Sequence, residues 1–144
     1  MNRLRRFARL EPGERVLVLR ATLLVAAIRL GLWLLPFRAL KRIMQRRLVS
    51  SASHPRFSPA RLAWAVRAVS RAIPGATCLT QALALHYLLT RAGHTARVRI
   101  GVSKDAGRSF QAHAWVEHRD GTLLNTPAEV AEYTPITTLG GLEG

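Results

Sequence analysis

The apolar residues of this chain change period partway along it. In the first part they recur every three or four positions, as on one face of an α-helix, and from His94 onward they alternate with polar residues, as on one face of a β-strand. Helices therefore come first and strands come last, which predicts an α+β fold. With 144 residues and 49% apolar content, the chain is long enough for one domain with a real core.

Prolines, glycines and small polar residues mark the ends of the helices. These signals predict four helices, over residues 12–35, 37–49, 59–73 and 78–92. Ser58 before Pro59 has the pattern of an N-cap followed by a first-turn proline, and Thr77 can cap the last helix, which Gly93 follows. That last helix is apolar over much of its surface, so we expect it to be the buried central helix.

The chain is strongly basic, and the charge is concentrated near the N-terminus. It has 22 Lys and Arg against 8 Asp and Glu, a net charge of +14, and residues 1–50 hold 12 basic and 2 acidic residues, or +10. Because residues 50–59 have the composition of a linker, we predict a basic helical appendage over residues 1–50 and a catalytic domain over residues 51–144. The charge favours anionic partners. With 6% aromatic residues and no recognition motif, we expect no nucleic-acid partner.

An apolar run from residue 16 to residue 35 has about the length of a membrane span. Arg20 and Arg29 interrupt this run, and a charged residue at the centre of a span costs roughly 2.5–3.5 kcal/mol on insertion scales. We therefore expect a cytoplasmic protein whose contact with a membrane, where it has one, is peripheral. The single cysteine permits no internal disulfide, which suits a reducing cytosol.

Cys78 is the candidate nucleophile. Its predicted position at a helix start puts the thiol beside unpaired backbone N–H groups, which stabilise a thiolate and can receive an oxyanion. A lone cysteine is more often a small packing residue. His113 favours the catalytic role over the packing role, because a Cys-His pair is the usual composition of a thiol active site. His113 lies mid-strand between Ala112 and Ala114, where its ring can be approached.

The remaining histidines fit structural or surface roles. His86 lies within the predicted central helix, and three others lie at a linker, a strand start and a hairpin end, namely His54, His94 and His118. They are too scattered for a metal site, and the sequence has neither a phosphate-binding loop nor a His-Glu-x-x-His motif. We expect Trp115 to be a packing residue, and we expect no metal or other cofactor.

A Cys-His dyad usually has a third group that orients the imidazole. If residues 119–121 form a three-residue hairpin loop, Trp115 pairs with Asn125, and Asn125 then shares a sheet face with His113, about 7–8 Å away between Cα atoms. A two-residue turn at Asp-Gly instead pairs Val116 with Asn125 and sends the amide to the other face. The tail beyond is predicted to be a loop.

Four short stretches in the second part of the chain are similar to one known family. They read CLTQALAL from Cys78, IGV from Ile100, AHAWVE from Ala112 and YTPI from Tyr133. In this order and spacing they resemble the lasso-peptide leader peptidases, transglutaminase-like proteins of microcin maturation. The similarity covers residues 58–136, and its most specific part is the AHAWVE block at that distance from the cysteine.

The resemblance implies a transglutaminase-like or papain-like core, in which a central helix carrying the cysteine packs on a small antiparallel sheet. It assigns the nucleophile to Cys78 and the base to His113. It puts Asn125 where the family has an aspartate, a departure that still allows the imidazole to be oriented. It also implies removal of the leader from a ribosomal precursor peptide, a separate leader-recognition protein, and an asparagine-synthetase-like lasso cyclase as partners.

Two other functions fit the same residues. A non-catalytic protein could dock a partner or an anionic membrane through its basic helices, and Cys78→Ala would then leave function intact. An acyltransferase would use the same cysteine and histidine but would pass the acyl group to an amine instead of to water.

Overall fold

The computed structural model describes residues 3–49, 57–103, 112–118, 121–124, 131 and 133–139. Within these residues the helices are α1 (Arg3–Ala8), α2 (Pro12–Leu34), α3 (Phe37–Val49), α4 (Pro59–Ser70) and α5 (Cys78–Arg91). The strands are β1 (Arg97–Ser103), β2 (Ala112–His118), β3 (Gly121–Leu123) and β4 (Tyr133–Leu139). Helices thus precede strands, and the predicted α+β class is confirmed.

The four predicted helices are present, and their caps are the expected residues. Ser58 caps α4 by accepting a hydrogen bond from a backbone N–H group (3.2 Å), and Thr77 caps α5 in the same way (3.3 Å). Gly93 has a φ of 87°, the left-handed conformation that commonly ends a helix. Helix α4 ends at Ser70, earlier than predicted, and no sequence signal had indicated the short helix α1.

The strands that the structure describes form one antiparallel sheet in the order β3-β2-β1-β4. Strand β4 lies at an edge beside β1, so the prediction that the tail is a loop was wrong. Its pattern is irregular because Pro135 lies within it and because the pairing with β1 shifts between Ile100 and Gly101. An edge strand tolerates a proline, and a bulge absorbs the shift in register.

The register of the hairpin between β2 and β3 differs from both registers considered from the sequence. Val116 pairs with Leu123, which leaves two residues, 119 and 120, between the strands. The predicted three-residue loop was therefore wrong. Strand β3 ends at Leu123, and Leu124 has a φ of 73°, so regular extended backbone ends before Asn125 is reached.

The core lies between helices α2, α4 and α5 and one face of the sheet. The central helix is α5, as predicted, because it packs against α2, α4 and β2. The main buried side chains are Leu17, Ala21, Val25 and Ile28 from α2, Leu62, Val66 and Val69 from α4, Leu85 and Leu89 from α5, and Val98, Ala114 and Val116 from the strands. Helix α2 thus shares the core. The predicted domain boundary adjoins residues 50–56, which lie outside the described residues, and it stays a prediction.

Candidate active site

The first residue of α5 is Cys78, whose thiol is half-buried. The turn before it is fixed by Gln81, which donates from its backbone N–H to the carbonyl of Thr77 (3.0 Å) and from Nε2 to the carbonyl of Ala76 (3.3 Å). The N–H groups of Cys78 and Leu79 have no acceptor within the described residues. They are therefore free to receive an oxyanion that forms at the thiol.

A tight turn precedes this helix, and a side chain of α2 packs against it. Gly75 has a φ of 77°, and a Cβ atom at this position would collide with the guanidinium group of Arg29. Only glycine combines this conformation with so close an approach. The Nε atom of Arg29 is buried and has no hydrogen-bond partner within the described residues. Arg20 lies nine residues away, on the opposite side of the helix at about 100° per residue, and it is exposed.

Chain connectivity brings the beginning of β2 back to the beginning of α5. The 14 residues of α5 span about 21 Å, and the 7 residues of β1 return over about 23 Å. Strand β1 therefore ends near the N-terminus of the helix, and β2 starts there because it pairs antiparallel with β1. His113 is the second residue of β2, so it lies at the same end of the domain as Cys78.

His113 is half-buried in a layer of aromatic rings. Its ring stacks on that of Tyr133, with 5.0 Å between centroids, and on that of Trp115, with 6.2 Å. Trp115 is fully buried, as expected for a packing residue, and its Nε1 donates to Glu117 (3.2 Å). The sequence did not single out Tyr133 as a site residue, because the tail was expected to be a loop.

Gly101 makes this layer possible. It pairs directly with His113 across β1 and β2. A Cβ atom on it would lie 2.8 Å from Cη2 of Trp115 and 2.9 Å from the backbone oxygen of Thr134. Both distances are too short for real contacts, so the missing side chain is what lets the indole ring lie across β1. Gly101 therefore positions one of the two rings on which the imidazole stacks.

No hydrogen bond joins Cys78 to His113 within the described residues. His113 alternates along β2 with the core residue Ala114, so its ring projects from the sheet face opposite to the one that packs on α5. The dyad stays a prediction. Asn125 lies outside the described residues, and the hairpin register that put it on the face of His113 is not the observed one. Its role now rests on the family resemblance.

The other histidines that the structure describes lie away from this site. His86 is buried in α5, and burial lowers its pKa from the ordinary value of 6.5. His94 and His118 meet edge to face at 5.8 Å, and each ring donates to a backbone carbonyl, at 3.0 and 2.7 Å. Both rings are half-buried, and each links two parts of the chain through its hydrogen bond, so neither is a solvated surface residue. His54 lies outside the described residues. In this part of the chain, no group of three or more His, Cys, Asp or Glu residues could hold a metal ion.

Comparison with known proteins identifies a family for the chain. No curated protein and no solved structure matches the chain significantly. Residues 22–138 match the family model of the transglutaminase-like superfamily, and this span contains both Cys78 and His113. Members of this superfamily are commonly cysteine peptidases or transglutaminases. Because the match covers well over half of its length, the chain belongs to the transglutaminase-like superfamily.

Proposed function

We propose that the chain is a cysteine peptidase that removes the leader from a ribosomally made, lasso-type precursor peptide. The proposal is supported by the lengths and pairing of α5, β1 and β2, from which Cys78 and His113 are inferred to lie at one end of the domain. Among the histidines that the structure describes, His86 is buried within α5, and His94 and His118 lie at the opposite end of the sheet. Membership of the superfamily supports an acyl intermediate on a cysteine.

In the proposed reaction, His113 takes the proton of the Cys78 thiol, and the resulting thiolate attacks the carbonyl carbon of the last leader residue. The N–H groups of Cys78 and Leu79 stabilise the oxyanion that forms. The carbon–nitrogen bond then breaks, protonated His113 gives its proton to the leaving amine, and the leader remains on the sulfur as a thioester. Water, deprotonated by His113, hydrolyses the thioester and restores the thiol. The freed amine is the group that a lasso cyclase joins to a carboxylate of the core peptide.

The mechanism requires the ring of His113 to reach the thiol of Cys78. Catalytic hydrogen bonds are often long in unliganded enzymes and tighten only in the reacting complex. In the described residues the ring is held by stacking on Tyr133 and Trp115 and by no hydrogen bond. Because the ring projects from the sheet face opposite to α5, its approach to the thiol requires that the start of β2 also move.

Leader removal, rather than general proteolysis, is proposed from the blocks that resemble leader peptidases. Three of these blocks contribute to the same aromatic layer. His113 belongs to the AHAWVE block, Gly101 to the IGV block and Tyr133 to the YTPI block. The fourth block begins with Cys78. The resemblance therefore includes the residues that form the aromatic layer around His113.

The test incubates the chain with its precursor peptide and a leader-recognition protein, and follows leader release by mass spectrometry. Cys78→Ala and His113→Ala are expected to abolish release. His118→Ala is the matched control, because His118 is also half-buried on β2 but lies at its other end, and this variant is expected to retain activity. Equal release by wild type and Cys78→Ala would contradict the peptidase and favour a non-catalytic docking protein.

The product distinguishes the peptidase from an acyltransferase that uses the same two residues. Hydrolysis leaves a free carboxylate on the leader, whereas transfer leaves an amide with an added amine. Incubation with a small primary amine in excess, followed by mass spectrometry of the leader, is expected to give mainly the carboxylate.

We further propose that Asn125 orients the imidazole of His113 in place of the family's aspartate. Asn125→Asp is then expected to keep or raise the rate of leader release, and Asn125→Ala to lower it. A clear loss of activity in Asn125→Asp would argue against this role.

A further inference from the structure

Helix α2 exposes an apolar face to solvent along most of its length. Leu23 is 72% exposed and Trp33 is 73% exposed, values that are unusual for large apolar side chains. The apolar stripe consists of Val16, Leu19, Leu23, Leu30, Trp33 and Leu34. At 1.5 Å per residue it is about 27 Å long. Helix α3, which follows α2, does not cover this face.

The opposite face of the same helix is fixed in the core. Leu17, Ala21, Val25 and Ile28 are buried there. By length and composition alone α2 could cross a membrane, with a mean hydropathy of 1.9 over an 18-residue window, of which 22% is buried. If α2 crossed a membrane, those four side chains would leave the core. The geometry therefore favours a helix that stays in the domain and offers its other face to a partner.

Basic side chains flank the apolar stripe at both of its ends. On the side of its C-terminus, α3 exposes Arg38, Arg42 and Arg46, which are four residues apart and share one helix face. On the side of its N-terminus, α1 exposes Arg5 and Arg6, and the turn that follows α1 exposes Arg9. We call these six residues the basic flanks. A partner that covers the stripe must therefore be apolar at its centre and anionic around it.

An apolar groove of about 760 Å³ runs beside the stripe. It lies between α2 and the C-terminal half of α5, and it shares Val16 and Leu23 with the stripe. Arg20 and Arg91 are its charged lining residues. The apolar walls suit the acyl chain of an inserted phospholipid, and the two arginines suit its phosphate.

We propose that the apolar stripe and the basic flanks dock the protein on the surface of a membrane that contains anionic phospholipids. The composition is that of an interfacial helix: a row of aliphatic side chains, a tryptophan at one end and arginines at the borders. A second copy of the chain is a poor occupant, since two copies would bring their basic flanks together. An acidic protein would match the charge but not the continuous aliphatic centre, because protein interfaces are richer in polar and aromatic contacts.

The first measurement is flotation of the full chain with phosphatidylcholine vesicles that contain or lack phosphatidylglycerol. Binding is expected with the anionic vesicles and is expected to weaken as salt is raised. Vesicles with brominated acyl chains are expected to quench the fluorescence of Trp33, and Trp33→Phe removes that part of the quenching. Trp115 is buried and Trp64 is half-buried, so the exposed Trp33 is the indole positioned to report on insertion.

Two variants separate the apolar contribution from the charge contribution. Leu23→Gln with Leu30→Gln is expected to lower vesicle partitioning by about tenfold or more, because both side chains are exposed and enter the lipid only on binding. Replacement of Arg38, Arg42 and Arg46 by Gln is expected to lower it by about fivefold per charge at low salt.

The matched control replaces three exposed arginines elsewhere, Arg67, Arg71 and Arg97, by Gln. It removes the same net charge and is expected to retain most of the binding. Equal loss in this control would show a mere effect of net charge and would overturn the proposal. Equal binding to vesicles without anionic lipid, or unchanged binding by the leucine variant, would also overturn the proposal. The same holds if light scattering shows a dimer that the leucine variant abolishes. The test does not depend on peptidase activity, so it stands or falls independently of the proposed reaction.

Discussion

Substitution of Gly101 by alanine tests whether the aromatic layer requires that residue 101 have no side chain. The added Cβ atom meets Cη2 of Trp115 at 2.8 Å and the backbone oxygen of Thr134 at 2.9 Å. Neither atom is the free end of a flexible chain, because Trp115 is fully buried and the oxygen belongs to the neighbouring strand β4. The strand pairing, the indole ring or both must therefore shift.

The size of the effect follows from two opposed contributions. Overpacking by one methyl group in a well-packed region costs about 1–3 kcal/mol. Replacement of glycine by alanine in a strand returns about 0.5–1 kcal/mol, because the unfolded chain loses conformational freedom. The free energy of unfolding is therefore expected to fall by about 1–2 kcal/mol in Gly101→Ala. For a chain of this size, that corresponds to a decrease in Tm of about 2–8 °C.

Urea denaturation of a double-mutant cycle measures the contact itself. The four proteins are wild type, Gly101→Ala, Trp115→Phe and the double variant. Phenylalanine lacks the outer ring atoms that the new Cβ would meet, so Gly101→Ala is expected to cost about 1 kcal/mol less in the Trp115→Phe background. Costs that agree in the two backgrounds to within about 0.5 kcal/mol would refute the reasoning, because the contact with Trp115 would then carry none of the effect.

Two further substitutions test the turn before the nucleophile and the buried histidine. Gly75→Ala is expected to lower the free energy of unfolding by about 1–2 kcal/mol, since an alanine at a φ of 77° is strained and its Cβ displaces Arg29. Gly13→Ala is the control: no atom lies near its Cβ, so it should not lower the free energy of unfolding in the same urea titration. His86 has a folded-state pKa below 6.5, so the unfolded chain binds the extra proton and stability should fall as the pH drops below 6.5. That dependence should be weaker in His86→Gln, measured by urea denaturation at pH 7.5 and 5.5, and an unchanged slope would show that other groups cause it.

The helices and their order could be predicted from the sequence because their signals are local. Caps such as Ser58 and Thr77, and an ending glycine such as Gly93, act within one turn of helix, so no long-range contact can override them easily. The strand signal was weaker. Strand β4 was missed because its pattern is interrupted by a proline. The hairpin register was missed because loops of two or three residues fit the same stretch of sequence at more than one position.

The candidate site could be predicted only in part, for a related reason. Cys78 and His113 stand out by residue type and by local setting. Arg29, Gly101 and Tyr133 gain meaning only from contacts between residues far apart in the chain, and no spacing rule indicates them. From the sequence, Arg29 indicated only that the apolar helix is a poor membrane span. It did not indicate that its guanidinium group lies against the turn before α5.

Helix α2 has two apolar faces, and their separation keeps the two proposals independent. Leu23 and Leu30 lie on the apolar stripe, whereas Arg29, about 100° around the helix from Leu30, reaches inward to Gly75. Substitution of the two leucines therefore removes no contact of the turn that precedes Cys78. A leucine variant that loses vesicle binding but still releases the leader would show that the membrane surface and the site are separate. Cys78→Ala should give the reverse result, with vesicle binding intact and no release, because a half-buried thiol at the start of α5 is not part of the stripe.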